Sequence, residues 1–123
     1  KKFKGETRSS MCEYVFSTSQ YQKFRFKNYP LAWSSDNMAI LQFSNFGKIF
    51  SINEATVNFR YSEHNISGQK DKNRFQKNKA TFLLFKDLLT SHFFKFNTKQ
   101  MYLIAKYTLL YGLLTIKSKL YDS

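Results

Sequence analysis

The sequence predicts an α+β fold: short helices and a β-hairpin in the first part of the chain, followed by a C-terminal helical hairpin. Three observations carry this. Ser10-Met11-Cys12-Glu13 has the Ser-x-x-Glu spacing of a capping box, which opens a helix. From Ala55 to Ser62 apolar and polar residues alternate with period two, as in a strand covered on one side. Beyond Gly68 the apolar residues recur at helical spacing instead.

Taken in order, residues 1–8 are a basic lead-in without periodicity. The capping box starts a short helix through about Phe16, and a second follows near Ser19 to Phe24. Asn28-Tyr29-Pro30 is a turn in which the proline holds Tyr29 extended. Ser34 or Ser35 caps a helix that reaches about Asn45, with Gly47 as its left-handed stop. Lys48 to Ile52 forms one strand, and a turn at Asn53-Glu54 leads to the other. That second strand sets Ala55, Val57, Phe59 and Tyr61 against Thr56, Asn58, Arg60 and Ser62. A polar loop runs from Ser62 to Gly68. Phe75, Phe82, Phe85, Leu89 and Phe93 then mark a long amphipathic helix. Phe96-Asn97 breaks it, and Thr98 caps a last helix with Leu103, Tyr107, Leu110 and Leu114 on its stripe. Gly68 therefore divides an α/β portion, 1–68, from a basic helical extension, 69–123.

A chain of 123 residues suits one compact unit, and its 14 Phe and 8 Tyr predict a bulky core. Four Gly and one Pro are too few for a disordered or low-complexity chain. The net charge of +12 points to an anionic partner: nucleic acid, phospholipid head groups or a phosphorylated substrate. Residues 1–68 hold nine basic and five acidic side chains, and residues 69–123 hold eleven and three, so that partner should meet the second part. Cys12 is the only cysteine, which rules out an intrachain disulfide and a cysteine metal cluster and suits a cytoplasmic setting. The first residues are polar and basic, so no secretory leader is read there. The longest apolar stretch, Met101 to Ile116, is interrupted by Lys106 and falls short of the ~20 residues a spanning helix needs.

Five pieces carry a resemblance. They are Ser9-Ser10-Met11-Cys12-Glu13-Tyr14-Val15-Phe16, Tyr29-Pro30-Leu31-Ala32-Trp33-Ser34-Ser35-Asp36-Asn37, Gly47-Lys48-Ile49-Phe50-Ser51-Ile52, Val57-Asn58-Phe59-Arg60-Tyr61-Ser62 and Asn65-Ile66-Ser67-Gly68. In this order and spacing, Ser9 to Gly68 resembles the acceptor-side part of a branch of bacterial family 2 glycosyltransferases. The helical tail fits that family's variable C-terminal extension more loosely.

The resemblance implies a GT-A type enzyme that moves a sugar, with inversion, from a nucleotide diphosphate donor to an acceptor hydroxyl in cell-surface polysaccharide synthesis. It implies a nucleotide sugar and an acceptor glycan, free or lipid-linked, as partners. It also implies a divalent ion, manganese or magnesium, for the full enzyme, held at an Asp-X-Asp motif in the donor-binding half. This sequence contains no Asp-X-Asp, so the expectation is a chain lacking the donor half and holding no cofactor of its own. Such a chain is either a mid-protein segment or a natural remnant, and is inactive alone.

Inversion needs a carboxylate near the acceptor hydroxyl to take its proton. The family keeps an acidic pair at a helix start, where the dipole favours negative charge. Here the pair reads Asp36-Asn37, and an amide cannot accept the proton. If the second position is the base, this protein has lost it; if Asp36 reaches the hydroxyl, Asp36 is the candidate base with Asn37 a substrate contact. The competing role for Asp36 is to favour the helix start. The resemblance further suggests Arg60 on a donor or acceptor phosphate, against an ion pair with Glu54 or Glu63. Trp33 either stacks on a sugar or anchors the core. His64 is read as a solvated loop residue rather than a metal ligand, and His92 as a surface residue. Asn65-Ile66-Ser67 matches a glycosylation acceptor by chance.

Two other readings stand beside this one. A nucleic-acid module or an anionic membrane surface would each use Lys70, Lys72, Arg74, Lys77 and Lys79. No helix-turn-helix, zinc-finger or aromatic sheet motif supports the first. A missing half would also leave apolar surface for a second copy of the chain to cover.

Overall fold

The computed structural model describes residues 11–52, 54–58 and 73–121. In order they form a 3-10 turn (Met11–Glu13), α1 (Thr18–Phe24), a 3-10 turn (Pro30–Ala32), α2 (Ser35–Phe43), α3 (Arg74–Ser91), a 3-10 turn (Phe93–Lys95) and α4 (Thr98–Tyr121).

The expected α+β fold with a β-hairpin is not what forms: among the described residues there is helix and no strand. The residues of the first expected strand, 48–52, run as irregular chain, and so do 55–58 of the second, while Phe59 to Tyr61 lie outside the described residues. The physical reason lies in what covers the segment. Ile49, Phe50, Ile52 and Val57 stay exposed, so among the described residues period-two alternation has no layer to pack on, and a lone two-stranded hairpin is marginal in water. The expected helix from Ser10 shortens to the single turn Met11–Glu13.

Helix α1 begins one residue before the expected Ser19, with Ser17 as its cap accepting from the Gln20 N–H at 3.3 Å. It leans on α2 through rings: Phe16, Tyr21 and Phe26 surround Phe43 with centroids 4.9, 6.5 and 5.5 Å away. Helix α2 stops two residues before the expected Asn45, and Gly47 is not its left-handed residue. Asn45 (φ 50°) and Phe46 (φ 60°) take that conformation. The Phe46 N–H reaches the Leu41 carbonyl at 2.7 Å and the Asn45 N–H the Gln42 carbonyl at 3.0 Å, the two bonds of a Schellman stop. Asparagine tolerates the left-handed region and so takes glycine's place.

The C-terminal hairpin forms as expected. Its cap is not Thr98 but Asn97, whose Oδ1 accepts from the Gln100 N–H while Gln100 Oε1 accepts from the Asn97 N–H, each at 2.9 Å. This is the reciprocal geometry of a capping box built from two amides. The faces that α3 and α4 bury are rotated from the predicted stripes. Ala80, Leu84, Phe85 and Leu88 are buried on α3, and Ile104 and Ser118 on α4. Phe93 lies beyond α3, exposed.

The core joins both sides of Gly68. Tyr29 and Met38 meet Ala80, Leu84, Phe85, Leu88 and Ile104 in one cluster. Phe85 stacks on two α4 rings, Tyr107 at 5.3 Å and Tyr111 at 5.9 Å. Asn78 ties the other end of the hairpin, its Nδ2 3.4 Å from both the Leu114 carbonyl and the Ser118 hydroxyl.

Candidate functional site

The start of α2 gathers Trp33, Ser34, Ser35, Asp36 and Asn37, and the backbone leading into it is unusual. Leu31 (φ 57°), Ala32 (φ 53°) and Ser34 (φ 65°) all occupy the left-handed region that side chains disfavour. Three such residues in four positions persist only where surrounding contacts impose them. The contacts are visible. Tyr29, extended before Pro30 at φ −88° and ψ 155°, is buried and donates its hydroxyl to Asp87 Oδ2 on α3 at 2.7 Å. Burial holds the Tyr29 phenol well above the usual tyrosine range, and the bond to Asp87 and its charge add to this. The Ser35 hydroxyl donates to the Lys27 carbonyl at 2.7 Å. Ser34 occupies the cap position, but its hydroxyl caps nothing. It lies instead 3.4 Å from the Thr81 hydroxyl of α3.

Asp36 is half-buried in the first turn of α2. Asn37 is half-buried too, and its Oδ1 is buried without a hydrogen-bond partner among the described residues. An orphan acceptor of this kind beside a candidate base is where a ligand donor would be satisfied. Trp33 packs against the core cluster, and the Lys77 ammonium sits over its ring at 5.0 Å. The ring is thus anchored on the core and shares its π face with a cation.

The same helix borders a cavity of about 300 Å³, which the sequence did not announce. Tyr14, Phe16, Ile40, Phe43, Lys48 and Phe50 line it. That volume is at the lower end of small-molecule sites, and rings with one cation suit the apolar face of a sugar or a short acyl group bearing a negative charge. The only signal available in sequence was that Tyr14, Phe16, Lys48 and Phe50 belong to the pieces that carry the resemblance.

The other expected site residues are scattered or undescribed. Arg60, His64, Asn65, Ser67, Lys70 and Lys72 lie outside the described residues. Arg74 opens α3 and is exposed. Lys79 is exposed with its ammonium 5.9 Å from the Phe75 ring. Lys77 and Lys79, two positions apart, point about 200° away from each other around the axis, so α3 does not offer them as one patch. His92 is half-buried rather than superficial, its ring 4.8 Å from that of Phe46. Among the described residues no three His, Cys, Asp or Glu side chains gather to hold a metal ion. The divalent ion that the resemblance implies finds no such donor set among the described residues, and no chemical step here runs through it.

No protein-family model matches the sequence, and comparison with curated proteins and with solved structures gives no match either. No helix among the described residues is long and apolar enough to cross a membrane.

Proposed function

We propose that this chain works as the acceptor-side part of an inverting glycosyltransferase, which moves a sugar from a nucleotide diphosphate donor to a hydroxyl of a cell-surface glycan. The observation that supports this best is the convergence of three of the resembling pieces on one helix. Tyr14, Phe16, Lys48 and Phe50 line a cavity against the flank of α2, while Trp33 to Asn37 open that helix. The left-handed backbone at Leu31, Ala32 and Ser34, which holds the entrance to α2, is of the kind found at functional sites.

In this reading the acceptor lies along α2. Its hydroxyl oxygen attacks the anomeric carbon, the Asp36 carboxylate takes the hydroxyl proton, and the bond to the leaving nucleotide diphosphate breaks. Asn37 cannot take a proton at neutral pH, so it serves as a hydrogen-bond partner for the acceptor. The donor phosphates and any metal are held by residues other than those described here.

The test uses the enzyme in which this segment acts together with a donor-binding half. Asp36→Asn should lower kcat by about a hundredfold or more, the range for losing a general base, with unchanged helical content. If Asn37→Asp raises kcat strongly while Asp36→Asn leaves it unchanged, the base belongs at position 37 and the assignment of Asp36 fails.

A further inference from the structure

The outward face of α4 is used by neither the core nor the acceptor reading. Tyr102, Leu109, Leu113, Ile116 and Leu120 follow one another at steps of seven, four, three and four, so they form one stripe along the helix. They remain 70%, 71%, 67%, 62% and 74% exposed. The opposite side of α4 carries Ile104, Tyr107 and Tyr111, which pack on the core and on α3. The helix is therefore apolar on two sides, and the described residues cover one. A continuous stripe of five large side chains over about 27 Å is more than a monomer surface ordinarily leaves to water.

Charge decides between the possible covers. Residues 98–121 include Lys99, Lys106, Lys117 and Lys119 and no Asp or Glu. Lys106 falls within the stripe, four positions after Tyr102, and Lys99 and Lys117 run along one flank, roughly 60° from its midline. A second copy would set this acid-free helix against itself, in a chain whose net charge is already +12. Lysines would then face lysines across the contact with no carboxylate on either helix, an arrangement that opposes association. An anionic bilayer suits both features at once. Leucine and isoleucine side chains enter the boundary between head groups and acyl chains, and the lysine stems extend so that their ammonium groups reach the lipid phosphates. Tyr102 at one end and Tyr121 at the other, both exposed, are of the type that settles at that boundary.

We infer that the outer face of α4 lies flat on an anionic membrane surface, held by Tyr102, Leu109, Leu113, Ile116 and Leu120 in the lipid and by Lys99, Lys106 and Lys117 on its phosphates. The inference rests on α4 alone and is independent of sugar transfer. The full chain is mixed with phosphatidylcholine vesicles made with and without phosphatidylglycerol, and the bound fraction is read by co-sedimentation. Binding is expected to the phosphatidylglycerol vesicles and not to the neutral ones. Leu109→Ser with Leu113→Ser should weaken it about tenfold or more. Lys99→Gln, Lys106→Gln and Lys117→Gln together should weaken it about a hundredfold. All five positions are exposed, and unchanged far-UV circular dichroism establishes that the variants fold. Equal binding to both vesicle types, or none to either, overturns the proposal. So does a lipid-free dimer, seen by sedimentation equilibrium, that the leucine pair dissociates, because the face then belongs to a second copy.

Discussion

Tyr29 shows how much one hydroxyl can settle. Its bond to Asp87 at 2.7 Å spans 58 residues of sequence and ties to α3 the loop that carries Trp33 and leads into Asp36. Because burial raises the phenol's pKa, it stays protonated and keeps donating across the physiological range. Tyr29→Phe keeps the ring and removes the donor, and should cost about 1–2 kcal/mol of stability, since the lost partner is a carboxylate. Urea unfolding followed by fluorescence of Trp33, the only tryptophan, measures this, and an unmoved midpoint would show that the bond contributes nothing. Nothing in the sequence links Tyr29 to Asp87, because no local pattern encodes a contact between distant residues. The start of α2 was legible for the opposite reason: two serines before an acidic residue are a local signal. What Ser34 does with its hydroxyl was not legible, since Thr81 competes for it from another helix.

At the scale of elements, period and composition found the long helices but not the faces they bury. Helix α3 is covered on more than one side, by α4 and by the turn Pro30–Ala32, so its buried set of Ala80, Leu84, Phe85 and Leu88 is not the simple stripe of a one-sided helix. The large rings at Phe75 and Phe82 dominate the apolar pattern, whereas small Ala80, fully buried, carries little weight in it. The expected strands failed because alternation is necessary for a half-buried strand but supplies neither a partner nor a layer. Gly112, inside α4, offers an element-scale test. A Cβ there would sit 3.4 Å from the Phe82 ring, at ordinary contact distance, and nothing in the backbone demands glycine. Gly112→Ala should therefore stabilise the hairpin by about 0.5–1 kcal/mol through helix propensity. Calorimetry should find Tm raised by a few degrees, and a lower Tm would mean that α3 and α4 cannot yield even that much space.

The whole molecule carries its positive charge unevenly over a helical body with one shared core, and His92 senses that field. Burial lowers its pKa below the usual 6.5, with the Lys27 and Lys95 charges acting in the same direction and Asp87 opposing them. As pH falls, the unfolded chain therefore takes up the imidazole proton before the folded one does. The stability that neutral His92 supports is present above about pH 6.5 and declines as pH drops through that value. Thermal melts from about pH 7.5 down to about pH 5.5 should show a smaller loss of Tm for His92→Gln than for the natural chain. Equal losses would assign the acid sensitivity to other groups. The core itself has a consequence for heredity. Tyr29 and Met38 are sealed by residues of α3 and α4, so the Trp33–Asp36 loop is no portable cassette. A recombination event that carried this loop into another protein without its two C-terminal helices would deliver the letters of the site without the scaffold that shapes it. Loop and hairpin must be inherited, exchanged and lost together.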